Sequence, residues 1–342
     1  MSRGLSRTTR IAAISTAVLV VFIAWFASGT ANSGVAFFFS VPVGLAAWWF
    51  GLRAGLLVTL VCGVLYLSDP VPDFALALTL RGIFLFGVAA LFSWLRSRML
   101  ILEHSAEELA EIRAALTPAD LPDLAGVDAG AAFVPSELGV SGDFYLLTNG
   151  PDGSAVAIVG DVVGHGPGAA RLATFIRARF AAFAASTSDP AELLTLANGA
   201  LVDRPSRARE LVSAICLRLR PGEETIYWAR AGHPPPLCLP HLEELPADGS
   251  TFLLGADEEL ELENMEVSIA GKEGLVVYTD GATDLKRGRQ MLGLEGLASV
   301  LAPLSGLAAR VIVSEAERAI LAWADRPIRD DLCLVVLKPE AG

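Results

Sequence analysis

Asp161 stands where an unpaired carboxylate is costly, between an apolar run and a glycine-rich loop. The run, residues 154–159, is rich in β-branched residues and predicts a buried strand. The loop, residues 160–166, reads GDVVGHG and contains no lysine or arginine, and Pro167 then begins a predicted helix. Burying a carboxylate without a partner costs free energy. Either Asp161 binds a cation, or it caps the following turn.

Other acidic residues share this context, each at an end of a predicted strand and beside glycine or another aspartate: Asp143, Asp280 and the pair Asp330 and Asp331. Carboxylates that meet at one sheet edge repel each other unless a divalent cation lies between them. Singly, each acid is explained as a cap, but together they favour a metal. Oxygen ligands favour Mg²⁺ or Mn²⁺ over zinc. Two such ions, about 4 Å apart, would lower the pKa of a bridging water and direct it at a phosphoryl group.

The elements that must position these acids are short strands and helices in mixed order. Strands are predicted at residues 127–134, 142–147, 154–159, 211–219, 225–230, 274–279 and 332–338. Helices are predicted at residues 167–186, 190–202 and 307–324. Strand pairs that alternate with helix pairs predict layered α+β structure rather than a wound parallel sheet.

Five segments of the chain together resemble the motifs of SpoIIE-type phosphatases, bacterial members of the metal-dependent PPM protein Ser/Thr phosphatase superfamily. Residues 141–145 (SGDFY) resemble the family's G-G-D-F-Y-D motif, and residues 160–166, followed by Ala169 and Ala170, resemble G-D-V-x-G-H-G-x-x-A-A. The remaining three are AGHPPPL at 231–237, YTDGATD at 278–284 and DDLCL at 330–334. Because the five occur in the family's order, the resemblance is specific over residues 115–338.

This resemblance implies a fold of two stacked antiparallel β-sheets flanked by helices, with two Mn²⁺ or Mg²⁺ ions at one edge. The implied metal ligands are Asp143, Asp161, the Val162 carbonyl, Asp280 and Asp330. Of these, Asp161 and Asp280 are the implied catalytic residues, and the implied second-rank site residues are Gly160, His165, His233 and Asp331. The implied reaction hydrolyses phosphoserine or phosphothreonine on a protein. The usual substrate in this family is a STAS-domain anti-sigma-factor antagonist, which places the chain in bacterial signal transduction.

Four positions depart from the family motifs. Leu146 stands where the first motif ends in an acid, and we expect this to remove a carboxylate near the site. Ser141 replaces a glycine, Arg230 replaces the asparagine before Ala-Gly-His, and Cys333 replaces a threonine. Because the main metal-binding acids remain, we expect an active enzyme. The alternative is a membrane signalling receptor whose phosphatase-like domain binds partners without catalysis.

The first 95 residues have the composition of a membrane region. The chain has 342 residues, and 53% of them are hydrophobic. Four apolar stretches, residues 11–29, 34–50, 52–68 and 74–95, each approach the roughly 20 residues that a membrane-spanning helix needs. Basic residues before the first stretch, between the second and third, and after the fourth place the N-terminus and residues 96–342 in the bacterial cytoplasm. We therefore predict about four spans in the plasma membrane.

A heptad pattern follows the fourth apolar stretch. Leucines recur every seven residues at Leu95, Leu102, Leu109 and Leu116, which predicts a helix with one apolar seam over residues 95–116. Residues 96–116 form the predicted linker between the membrane region and the following domain. The seam favours a homodimer through a parallel coiled coil; the alternative is an amphipathic helix packed on its own domain. Residues 117–342 then form the predicted cytoplasmic phosphatase domain. The net charge of −12 argues against a nucleic-acid partner.

Overall fold

The computed structural model describes residues 6–27, 38–66, 74–116, 121–136, 142–205, 210–247, 252–325, 328 and 330–340. For residues 66, 74–78 and 102–116 it describes the backbone alone. The chain divides into two units, residues 1–107 and residues 108–342, and each is considered by itself.

The apolar stretches of the first unit form helices. These are α1 (Arg7–Ala27), α2 (Ser40–Phe50), α3 (Leu52–Tyr66) and α4 (Phe74–Leu116), so the fourth stretch and the heptad segment form one continuous helix. Two helical segments are long and apolar enough to cross a membrane, Arg7–Ala27 and Thr79–Ile101. The 11 residues of α2 and the 15 of α3 reach only about 16 and 22 Å at a rise of about 1.5 Å per residue. The described residues therefore provide two helices of spanning length where the sequence predicts about four spans.

The short second and third helices have a local cause. Gly51 has a φ of 88° and ends α2, and α3 begins at the next residue. A Cβ built on Gly55 would lie 2.8 Å from the Cβ of Ala47, so glycine allows α3 to pack closely against α2. Residues 34–37, with which the second predicted span begins, lie outside the described residues.

The predicted dimer depends on Leu102, Leu109 and Leu116, whose side chains lie outside the described part of the structure. The helix that carries them is described, since α4 runs to Leu116. The coiled-coil pairing stays a prediction.

The second unit contains, within its described residues, two five-stranded antiparallel sheets and a short hairpin. One sheet has the order β1–β12–β9–β6–β7 and the other has the order β2–β3–β4–β5–β8. The strands are β1 (Val127–Val134), β2 (Phe144–Asn149), β3 (Ala155–Val162), β4 (Val212–Leu219), β5 (Thr225–Ala231), β6 (Leu237–Leu239), β7 (Glu243–Glu244), β8 (Met265–Ser268), β9 (Gly274–Tyr278), β10 (Lys286–Arg287), β11 (Gln290–Met291) and β12 (Leu332–Pro339). The strands β10 and β11 form the hairpin.

This unit has four layers, a pair of helices on each outer side and two sheets between them, and an apolar cluster lies between each layer and the next. The central cluster packs side chains of both sheets against each other, for example Val159 and Trp228 against Val277 and Val335. Helices α5 (Pro167–Phe183) and α6 (Pro190–Val202) cover the β2–β8 sheet, and α7 (Gly293–Leu301) and α8 (Ala309–Trp323) cover the β1–β7 sheet. The predicted α+β fold, two stacked antiparallel sheets flanked by helices, is confirmed.

Candidate functional site

The predicted site acids all lie at one edge of the two sheets. In the β2–β8 sheet, Phe144 pairs with Gly160, so Asp143 before β2 and Asp161 near the end of β3 lie together. In the other sheet, Tyr278 pairs with Leu334, so Asp280 after β9 lies beside Asp330 and Asp331 before β12. Antiparallel pairing thus gathers the acids of each sheet separately, and the hydrogen bond between Thr279 and Asp143 shows that the two groups lie together where the sheets stack.

The charges of these carboxylates interact across the two sheets. Burial, and then the charge of Asp161, raise the pKa of Asp143 well above its usual range. Burial also raises the pKa of Asp161, as do the charges of Asp280, Asp330 and Asp331, although a hydrogen bond with Asp143 opposes this. The pKa values of Asp280 and Asp330 are raised in the same way, first by partial enclosure of each carboxyl group and then by neighbouring acids. The ionised carboxylates of the cluster therefore repel one another.

No lysine or arginine among the described residues forms an ion pair with any acid of this cluster. The chemistry of the donor set fits a hard divalent cation, because several carboxylate oxygens are gathered with no positive side chain to compensate them. Within the described residues, however, no three acidic, histidine or cysteine side chains are already arranged around one metal position. Mg²⁺ commonly keeps several of its waters, so it needs few protein ligands.

Thr279 connects the two sheets inside this cluster, and sequence analysis missed its role. Its hydroxyl donates a 2.6 Å hydrogen bond to Asp143 Oδ2 and accepts a 3.2 Å hydrogen bond from the backbone N–H of Cys333. Thr279 is buried and directly precedes Asp280. Its place beside a predicted metal ligand was the available signal, but the partner lies 136 residues away in sequence.

Asp330 and Asp331 differ in their surroundings. Asp330 is exposed, and its Oδ1 accepts a 2.9 Å hydrogen bond from the N–H of Asp331. Asp331 is 1% exposed, and its Oδ1 accepts a 2.5 Å hydrogen bond from the N–H of Ser136. Asp331 therefore holds the end of β1, while Asp330 is free to face a ligand.

Two glycines allow the backbone to pack tightly beside the acids. A Cβ on Gly160 would lie 2.5 Å from the ring of Phe144 and 2.7 Å from the carbonyl oxygen of Ser213. A Cβ on Gly142 would lie 2.6 Å from the carbonyl oxygen of Val162. The Val162 carbonyl, a predicted ligand, thus lies beside the residue that precedes Asp143. Ser141 lies outside the described residues.

The two predicted second-rank histidines have different environments. His165 is exposed in the loop after β3 and lies close enough to Asp330 to oppose the rise in the pKa of that carboxyl. His233 is fully buried, and its Nδ1 lies 3.0 Å from the carbonyl oxygen of Pro234. Burial lowers the pKa of His233 to about 4, so the ring is neutral near pH 7. Arg230 donates a 3.0 Å hydrogen bond to the carbonyl of His233, so both side chains serve to hold this loop.

Leu146, which replaces the family's acid, belongs to the core. It is 7% exposed and packs in the cluster between the β2–β8 sheet and helices α5 and α6, which also contains Phe144 and Ile158. Its side chain is thus surrounded by apolar groups and not by the acids of the cluster.

Comparison with protein families finds one matching family. The model described as "Stage II sporulation protein E (SpoIIE)" matches residues 151–340, more than half of the chain. No curated protein matches the chain.

Several solved structures share the fold of the second unit. The SiaA-PP2C domain of Pseudomonas aeruginosa is 20% identical with a TM-score of 0.60, and the match covers 71% of this chain and 98% of that one. The RsbU and RsbW domains of Rv1364c from Mycobacterium tuberculosis are 21% identical with a TM-score of 0.53, and the match covers 64% and 62%. The PP2C phosphatase domain, with a fragment of the regulatory domain, of SpoIIE from Bacillus subtilis is 17% identical with a TM-score of 0.51, and the match covers 62% and 63%. At these identities, the matches show the fold.

Proposed function

Because the chain belongs to the SpoIIE family and carries a PP2C-type serine/threonine phosphatase domain, we propose that it hydrolyses phosphoserine or phosphothreonine in a signalling protein. The observation that carries this proposal is the acid cluster, in which carboxylates of both sheets meet at one edge without a basic partner among the described residues.

The residues that would hold two Mn²⁺ or Mg²⁺ ions are Asp143, Asp161, the Val162 carbonyl, Asp280 and Asp330. When bound, the ions supply a water of lowered pKa and positive charge for the phosphoryl oxygens. Asp161 and Asp280, which come from different sheets, would be the catalytic residues of this set. Thr279 orients Asp143 through its 2.6 Å hydrogen bond, and Asp331 holds the end of β1 beside the cluster. Gly160, by lacking a side chain, leaves room for the packing beside Asp161.

The substrate is a small phosphoprotein, a STAS-domain anti-sigma-factor antagonist. Membership of the SpoIIE family supports this choice. Residues 1–95 anchor the chain in the bacterial plasma membrane, residues 96–116 link the anchor to the phosphatase domain and pair two copies, and residues 117–342 catalyse in the cytoplasm. Two helices of spanning length and the flanking basic residues support the anchor.

The non-catalytic alternative depended on Leu146. That side chain is part of the apolar core, and Asp143, Asp161, Asp280 and Asp330 still gather at one edge. We therefore favour the enzyme over a domain that only binds partners.

The test uses the full chain purified in detergent. Phosphate release is measured from a phosphoserine STAS-domain protein with Mn²⁺ and with a chelator, for the unmodified chain and for Asp161→Asn. Asp123→Asn is the matched control, because Asp123 is exposed and lies beside Asn149, at the opposite end of β2 from the cluster. We expect Mn²⁺-dependent turnover that Asp161→Asn abolishes and Asp123→Asn preserves. A folded chain that neither binds Mn²⁺ nor releases phosphate would support the binding module.

A further inference from the structure

The hairpin of β10 and β11 concentrates positive charge in an acidic chain. Residues 285–291 read LKRGRQM, with three basic residues and no acidic one, while the whole chain has a net charge of −12. Lys286, Arg287 and Arg289 are exposed. None of the three forms an ion pair with another described residue.

The hairpin is held firmly on the end of helix α8. The N–H of Gly288 donates a 2.5 Å hydrogen bond to Asp325 Oδ2, and the N–H of Asp325 donates a 2.8 Å hydrogen bond to the carbonyl of Lys286. The guanidinium of Arg287 lies over the ring of Trp323, 4.9 Å from its centroid. The basic side chains are therefore presented from a fixed backbone, which lowers the entropy cost of binding.

The base of the hairpin is joined to the turn that contains Asp280. The N–H of Gly293 donates a 2.9 Å hydrogen bond to the carbonyl of Thr283, and the N–H of Thr283 donates a 2.8 Å hydrogen bond to the carbonyl of Asp280. The carboxyl of Asp280 belongs to the acid cluster. The positively charged hairpin is therefore connected directly to the negatively charged acid cluster.

We propose that the hairpin docks an acidic segment of the phosphoprotein substrate, next to the phosphorylated residue. This proposal rests on the proposed phosphatase function and adds the chemistry by which its protein substrate is recognised. An acidic partner would be repelled by the cluster and by the chain's net charge, and the hairpin supplies the complementary charge that such a partner needs. Because the hairpin is joined to the Asp280 turn, a segment bound to it would lie close to the acid cluster. This position suits a substrate of the site better than a partner that binds elsewhere.

The experiment compares phosphoserine peptides of one length, flanked on both sides by glutamate, by glutamine or by lysine, with the full Mn²⁺-loaded chain in detergent. We expect kcat/KM to be about tenfold higher for the glutamate peptide than for the glutamine peptide, the size expected of a few exposed charge contacts. In Arg289→Glu the glutamate-to-glutamine ratio falls about fivefold. Because the ratio is taken within one variant, a general loss of activity does not imitate this result.

Two further variants complete the comparison. Arg289→Lys keeps the charge and is expected to keep the ratio. Arg310→Glu reverses an exposed arginine at the start of α8, whereas the hairpin lies at the other end of that helix. It is expected to leave the ratio unchanged. Equal kcat/KM values on all three peptides for the unmodified chain would overturn the proposal. So would an equal fall of the glutamate-to-glutamine ratio in Arg289→Glu and Arg310→Glu.

Failure of the proposed function has a separate signature. If no peptide is hydrolysed, anisotropy of a fluorescein-labelled glutamate peptide still measures docking, which Arg289→Glu is expected to weaken and Arg289→Lys to preserve. Vesicles containing phosphatidylserine test a membrane partner. Vesicle binding that Arg289→Glu abolishes, without any preference for the glutamate peptide, would assign the hairpin to lipid and overturn the proposal.

Discussion

The hydroxyl of Thr279 lies 2.6 Å from Asp143 Oδ2, so a side chain of one sheet positions an acid of the other. Thr279 does so while its own oxygen accepts the N–H of Cys333, and the rotation of the hydroxyl is thereby defined. A threonine that directly precedes one acid thus orients a second one.

Replacing Thr279 by valine keeps the shape and removes this hydrogen bond. We expect Thr279→Val to weaken Mn²⁺ binding about tenfold, the usual scale for removing a group that orients a metal ligand. Thr279→Ser retains the hydroxyl and is expected to bind Mn²⁺ almost as the unmodified chain does. Mn²⁺ affinity measured by calorimetry checks this without depending on turnover. Equal affinities of the valine and serine variants would show that the hydrogen bond does not orient a ligand.

Neutralising one acid of the cluster is expected to stabilise the metal-free chain. Asp280 is repelled by Asp330 and Asp284, so Asp280→Asn removes an unfavourable interaction. We expect its thermal unfolding midpoint with chelator to rise by about 2 °C, the shift that roughly 0.5–1 kcal/mol produces in a domain of this size. With Mn²⁺ we expect the unmodified chain to have the higher midpoint, because it gains stability from the bound ion and the variant gains less.

Asp123→Asn again serves as the control for this comparison, since it removes one negative charge outside the cluster. A midpoint that is lower in Asp280→Asn than in Asp123→Asn, both with chelator, would contradict the interpretation of the cluster as mutually repulsive.

The buried His233 predicts a pH dependence of stability. Its pKa is lowered to about 4 in the folded chain, whereas an unfolded histidine has a pKa of about 6.5. Between these values the unfolded state binds the proton and the folded state does not, so this contribution to stability falls as the pH falls. We expect the midpoint to drop between pH 7.5 and pH 5 by about 4 °C more in the unmodified chain than in His233→Gln. The acids of the cluster titrate in both proteins, so the difference isolates His233.

Asp152 joins several segments at the end of the β2–β8 sheet opposite to the acids. It accepts hydrogen bonds from Ser154 Oγ and Ser188 Oγ, both at 2.5 Å, and ion pairs with Arg218 and Arg220 at 3.0 and 2.9 Å. Although burial opposes this, these contacts lower its pKa below the usual range.

We expect Asp152→Asn to lose about 2 kcal/mol of stability, since charged hydrogen bonds of this kind contribute about 1.5–3 kcal/mol. The lowered pKa means that the carboxylate stabilises the fold above about pH 4 and that this contribution disappears as the pH falls further. Unfolding midpoints at pH 7 and pH 3 check both parts. A variant as stable as Asp123→Asn at pH 7 would show that the contacts around Asp152 contribute little.

Much of the fold and of the site was predictable because the signals are local. Residues 127–134 form β1 as predicted, and half of its positions are buried. Asp161 and Asp280 each lie where an apolar run meets a glycine-containing turn, and each lies at the end of a strand in its own sheet. Within each sheet, antiparallel pairing places that strand end beside the start of a neighbouring strand, where Asp143 or the pair Asp330 and Asp331 lies.

Other features depend on contacts that no local pattern contains. The hydrogen bond between Thr279 and Asp143 joins residues 136 positions apart, and the environment of Asp331 differs from that of Asp330 through its contact with Ser136, two residues after β1. The burial of Leu146 among apolar side chains depends on which face of β2 packs against the helices. In the first unit, hydropathy located four apolar stretches, but their helical lengths depended on Gly51.

Since the acids come from two separate sheets, the edge that holds them differs in local stability from the rest of the sandwich. Apolar packing of Val159 and Trp228 against Val277 and Val335 holds the sheets together along their length, while like charges push them apart at this end. Hydrogen exchange in metal-free protein is therefore expected to be faster at amides near Asp161 and Asp280 than at the far ends of β3 and β9. We therefore expect amide protection at this end of the sandwich to respond most to added Mn²⁺.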